Sequence, residues 1–151
     1  MNKKTTLHPS IKNKFFSLEV TGTLLYYTRA VNSTIITALG SIADRQDNLT
    51  EQTMQNFKQL LDYAYSHTDA VLTYQASEMV LAGHIDASYL SETKACIRAG
   101  GHLFMSNNTT FLPNNGAVFT ISKIIKAVIS SASEAELGVL FINCKESIPA
   151  R

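Results

Sequence analysis

Three acidic side chains carry the chemistry this sequence could perform. Asp86 sits in Ile85-Asp86-Ala87-Ser88 at the end of an apolar run, and Glu134 and Glu136 sit in Ser130-Ser131-Ala132-Ser133-Glu134-Ala135-Glu136-Leu137 at the start of another. Two carboxylates held close together are costly unless they share a proton or a cation. Mg²⁺ takes oxygen ligands, keeps several waters, and is held by a few carboxylates together with substrate phosphate oxygens. In a two-metal arrangement one ion activates the attacking water and the other stabilises the leaving oxygen of a phosphodiester. A helix bearing the glutamates and packed across a strand ending at Asp86 would therefore suit a magnesium site. The same residues also suit plainer work: an Asp at a strand end forms turns, and a Glu in the first turn of a helix complements its dipole.

The remaining polar residues point to no chemistry of their own. His67, His84 and His102 lack ligand spacing such as His-x-x-x-His, so surface or strand positions are expected and a zinc site is not. Ser88, Ser130 and Ser131 have no Gly-x-Ser-x-Gly elbow around them. Gly100-Gly101 lacks a phosphate-binding pattern and is expected to be a flexible entrance to a strand. Lys123, Lys126 and Arg98 could meet a phosphate backbone, although scattered basic residues usually form solvated faces. Cys96 and Cys144 are far apart and follow no metal-ligand pattern, so reduced thiols are expected.

The elements that must position the acids follow from hydrophobic period and capping signals. Apolar residues from Phe15 to Thr28 suggest a helix weakened by Thr21-Gly22-Thr23. Asn32 or Ser33 can cap a second helix carrying Ile35, Ile36, Leu39 and Ile42. Thr50 caps a third, with Met54, Phe57, Leu60, Leu61 and Ala64 on one face and Leu49 placed to staple onto Met54. The period then changes. Strands are expected over 70–74, 79–86, 100–105 and 117–122, the last after the turn Pro113-Asn114-Asn115-Gly116. Ser130 or Ser131 caps a closing helix with Ala135, Leu137, Val139, Leu140 and Ile142 as its apolar positions. The expected order is a flexible lead over 1–14, a helical segment over 15–66, and an α+β unit over 67–151 in which a meander of strands is followed by one helix.

These motifs resemble those of one known family. His84-Ile85-Asp86-Ala87-Ser88-Tyr89 is similar to the first acidic motif of the ribonuclease H domain in long-terminal-repeat retrotransposons, and the stretch 131–140 (SASEAELGVL) is similar to its second. Upstream, Thr21 to Arg29, Thr37-Ala38-Leu39 and Leu60-Leu61-Asp62-Tyr63 resemble the segment that joins reverse transcriptase to ribonuclease H in copia-like polyproteins. The resemblance spans roughly residues 17 to 148. It implies a reverse transcriptase connection region followed by a truncated ribonuclease H-like mixed sheet with one packed helix. It also implies that Asp86 and Glu136 are catalytic metal ligands, with Mg²⁺ or Mn²⁺ as the ion and an RNA-DNA hybrid as substrate. The rest of a Pol polyprotein would be a partner. Glu134 lies about 200° from Glu136 around an ideal helix and is the weaker ligand.

Two departures from the family pattern shape the expected activity. No Tyr-x-Asp-Asp turn occurs, so DNA synthesis is not expected. The family's third acid lies on a strand after the glutamate-bearing helix, and the chain ends at Arg151 soon after that helix. An incomplete metal site, no hydrolysis by the chain alone, and an unpaired edge beside the strand of Asp86 are therefore expected. A non-catalytic module that pairs with another chain through that edge and the helical segment is the alternative.

Composition bounds these readings. With 151 residues, 45% of them hydrophobic, the chain can bury a real core. Its 13 Lys and Arg nearly balance 12 Asp and Glu, so no overall field steers it toward nucleic acid. The basic stretch Met1 to Lys4 leads into no apolar h-region, and no apolar run approaches the roughly 20 residues needed to cross a bilayer. An intracellular protein without a membrane segment is expected.

Overall fold

Hydrophobic period and caps build an α+β protein. The computed structural model describes residues 11–92 and 96–150, and among them are four α-helices and an open sheet of three antiparallel strands. The chain divides into two units, Met1–Val71 and Leu72–Arg151.

The first unit is helical. Helix α1 (Ile11–Ala30) begins inside the stretch expected to be a flexible lead, of which residues 1–10 lie outside the described part. It runs straight through Gly22, where an added Cβ would meet nothing within 4 Å. That glycine therefore costs helix propensity, roughly 1 kcal/mol against alanine, without serving a close contact. Val20, Leu24 and Tyr27 of α1 pack on a core of Ile35, Leu39, Ile42, Phe57 and Leu60. Asn32 then reverses the chain: its carboxamide oxygen accepts from the Thr34 backbone N–H at 3.1 Å and caps a single 3₁₀ turn, Ser33–Ile35. Helix α2 (Ile36–Ala43) follows directly. Thr50 caps helix α3 (Glu51–Ser66) by accepting from Thr53 N–H at 3.2 Å. Between α2 and α3 the Gln46 side chain donates to Thr21 Oγ1 at 2.6 Å and to the Ser17 carbonyl at 3.3 Å, tying the connection to α1.

The second unit holds strands β1 (Val80–Ser88), β2 (Ile97–Ser106) and β3 (Ala117–Ile125), then helix α4 (Ala132–Ser147). The strands form an antiparallel meander in the order β1-β2-β3, which leaves β1 and β3 as the two edges, and not the mixed sheet that the resemblance implies. Residues 70–74, expected to be a strand, belong to none. Val71 is 81% exposed, and the backbone of Gln75 pairs with a side chain instead of a ladder: its N–H donates to Asn115 Oδ1 at 2.8 Å, and Asn115 Nδ2 returns a bond to its carbonyl at 2.9 Å. Strand propensity alone does not make this segment a strand, because it forms no ladder with either edge of the sheet. Strand β2 starts before Gly100, so the glycine pair is not a strand entrance but lies within the strand. Strand β1 is bracketed by two non-glycine residues in the left-handed region, Met79 (φ 60°) and Leu90 (φ 54°).

Candidate functional site

Helix α4 is positioned by its cap and by a line of small and medium residues. Ser131 Oγ accepts from Glu134 N–H at 3.1 Å, while a Glu134 carboxylate oxygen accepts from both the N–H and the hydroxyl of Ser130 at 2.8 Å each. These bonds, the backbone one foremost, hold the Glu134 carboxyl below the usual range. Glu134 is thus spent on the helix start, the plainer of the two roles its position allowed. Ala135, Val139 and Asn143 follow at four-residue intervals and are the buried residues of the helix. Ala135 and Val139 meet Ile97 and Ala99 of β2 and Ile125 of β3, with Ala87 and Tyr89 beside them.

The ladder fixes which face each strand residue occupies. Gly101 lies under α4, because a Cβ built on it would fall 1.9 Å from Asn143 Oδ1. Alternation puts Ile97, Ala99 and Leu103 on that same face. In β1, Ile85 pairs with Gly101 and Ala87 with Ala99, so both point toward the helix. Asp86 pairs with Gly100 and therefore points to the opposite face, the one shared with Arg98 and Ser122. Glu136, next to buried Ala135, is exposed. The two acids come to the same end of the sheet, since Ala135 packs in the cluster that includes Ala87, but the pleat directs them to different faces.

An ion clamped by both would need them on one face, so this pair does not fit a divalent cation as it stands. Among the described residues, no group of three or more His, Cys, Asp or Glu is placed to hold a metal. Arg98, opposite Ser88 in the ladder, stands one diagonal step from Asp86 on that face. Arg98 is 7% exposed and is matched by Glu92 in an ion pair, with Ser122 Oγ accepting a further bond at 3.1 Å. The sequence suggests a phosphate contact or a solvated charge for Arg98, and nothing in its neighbours signals the buried pair.

The three described histidines make packing and hydrogen-bond contacts. His84 and His102 face each other across β1 and β2, and their rings lie against the fully buried Phe104 at 5.1 and 5.2 Å. His84 Nε2 is 2.7 Å from Asn114 Oδ1, and His102 Nε2 is 3.1 Å from the Asn115 carbonyl. They anchor the loop before β3 over the sheet face away from α4. His67 stacks on Tyr63 with ring centres 4.1 Å apart. Cys96 and Cys144 are both free thiols, and Lys123 reaches Glu146 of α4 at 3.8 Å.

Sequence reasoning also missed Asn143. Its Nδ2 donates to the Val139 and Gly100 carbonyls at 2.9 and 3.3 Å, while its Oδ1 is buried without a partner beside Gly101. A glycine inside a strand is a recognised mark of close approach, and the Gly100-Gly101 pair carried that signal. No known protein family, curated protein or solved structure matches the chain. No described helix is long and apolar enough to cross a membrane.

Proposed function

We propose that the second unit is a ribonuclease H-like half-domain of copia-like retroelement origin, preceded by its reverse transcriptase connection helices, and that this chain does not itself hydrolyse RNA-DNA hybrids. The observation that carries the reading is the packing of α4 on β1 and β2, with Ala135 in the cluster that contains Ala87. Three antiparallel strands and a following helix thereby bring the Asp86 motif and the Ala135-Glu136-Leu137 step to one end of the sheet. The open outer edge of β1 is where the family's further, acid-bearing strand would pair. The separation of Asp86 from Glu136 across the pleat supports the absence of turnover, because Mg²⁺ bound by one carboxylate has no second anchor.

The test is hybrid cleavage with Mg²⁺ or Mn²⁺ by the purified chain. No cleavage above background is expected, and Asp86→Asn should leave that result unchanged. Robust turnover abolished by Asp86→Asn would overturn the claim.

A second reading, a non-catalytic assembly module, is favoured by two surfaces. The outer edge of β1 is unpaired among the described residues. On α4, Leu137, Leu140 and Phe141 stand 66, 45 and 67% exposed along the side away from the sheet, and Ile148 just after the helix is 61% exposed. Sedimentation combined with hybrid-binding anisotropy separates the two readings. Assembly predicts oligomers without hybrid affinity, and the half-domain reading predicts salt-sensitive hybrid binding.

A further inference from the structure

The helical unit contains a cleft that none of the chemistry above uses. Its volume is about 460 Å³, and it lies between α2 and α3, within the usual range for small-ligand sites. The floor is apolar: Ile35, Ile42 and Leu60 are each less than a tenth exposed, and Ala38 leaves depth beside them. The mouth carries the ring of Tyr63, which is 41% exposed.

Thr34, Ser41, Thr53 and Gln59 add neutral polar groups to the lining, and its charge is one-sided. Arg45 is its single charged residue, no acid lines the cleft, and among the described residues no carboxylate pairs with Arg45. Asn56 contributes in the same sense. Its carboxamide oxygen already accepts from Gln52 Nε2 at 2.9 Å, which leaves its NH₂ group to donate. Apolar floor, aromatic lip, and a rim of one guanidinium and a carboxamide donor together match a ligand with a hydrophobic body and a negatively charged head.

We infer that the cleft between α2 and α3 binds a small amphiphilic organic anion, with its body over Ile35, Ile42 and Leu60 and its head at Arg45. A guanidinium holds a carboxylate or sulfonate through charge-assisted hydrogen bonds, and the body gains from leaving water in proportion to the apolar area it covers.

Two dyes of nearly the same shape test this on the whole chain. 8-Anilinonaphthalene-1-sulfonate carries the anionic head, and N-phenyl-1-naphthylamine lacks it. The sulfonate dye should bind saturably, one per chain, and more tightly than the neutral dye. Arg45→Gln should weaken the sulfonate dye about tenfold and leave the neutral dye unchanged. Ala38→Trp, which fills the cleft, should abolish binding of both, with circular dichroism confirming that its helices persist. Should that variant unfold, Arg45→Gln decides alone, because its altered side chain is exposed.

Three results would overturn the inference. One is no saturable binding at all. Another is a folded Ala38→Trp chain that binds as the wild type does, which would place the dye on the exposed apolar stripes. The third is Arg45→Gln failing to distinguish the two dyes.

Discussion

The two units bury different kinds of core, and the difference decides what each tolerates. The helical unit fills its centre with large side chains, Ile35, Leu39, Ile42, Phe57 and Leu60, all facing others of similar size. The sheet unit brings Ala135 and the buried Asn143 of its helix down on Ala99 and Gly101, where small residues allow backbones to approach, with Ile97, Ile125 and Val139 packed beside them. Cores of the first kind lose stability in proportion to the volume removed. Cores of the second kind fail when volume is added. Both units bury polar groups: the ion pair of Arg98 and the partly satisfied Asn143 belong to the sheet unit, and Ser17, Thr28, Asn32 and Thr53 to the helical one.

The sharpest way to break this comparison is Gly101→Val. The backbone at Gly101 does not need glycine, since no glycine has a positive φ. The new side chain must instead displace Asn143 or lift α4. A loss of about 4 kcal/mol is expected in denaturant unfolding of the sheet unit. Adding Asn143→Ala should recover about 2 kcal/mol of it as a coupling energy in the double-mutant cycle. Strict additivity of the two changes would show that α4 does not rest where the ladder places it.

Next in size is Leu39→Ala, which removes volume from the helical core where Leu39 is 1% exposed. About 3 kcal/mol should be lost. Hydrogen exchange should show it in the amides of α1, α2 and α3, with the protection of β2 unchanged. Equal loss of protection in β2 would mean that the cores do not answer separately.

The smallest effect concerns Glu134, whose carboxyl is held below its ordinary range by the Ser130 bonds. A group depressed in the folded state adds stability above its unfolded pKa and loses it as pH falls through the folded value. Wild type should therefore exceed Glu134→Gln in urea midpoint at neutral pH, and the gap should close on acidification. A gap independent of pH would assign the difference to the cap geometry alone.

Much of this architecture was legible because it depends on local chemistry. Thr50 and Ser131 cap the helices they were expected to cap, and the meander followed by α4 appears in the expected order. The failures are long-range. Residues 70–74 have strand propensity but join no ladder, and just after them the backbone N–H and carbonyl of Gln75 are bonded to the side chain of Asn115, forty positions away. The face of Asp86 depends on which residue of β2 stands opposite, and that in turn depends on where α4 lands. No spacing within either motif encodes it. Arg98 became a buried ion-pair partner because Glu92, six positions earlier, lies against it, a pairing that propensity does not specify.

The two left-handed residues beside β1 set a length. Beyond Met79 on one side and before Leu90 on the other, the backbone leaves the extended region, so hydrogen-bonding groups on the open edge come into line only over the nine residues of the strand. A chain adding to this edge is offered a window of about 30 Å, and growth past either stop would require an L-residue to abandon its conformation. Such a border matches a short added strand rather than a long one.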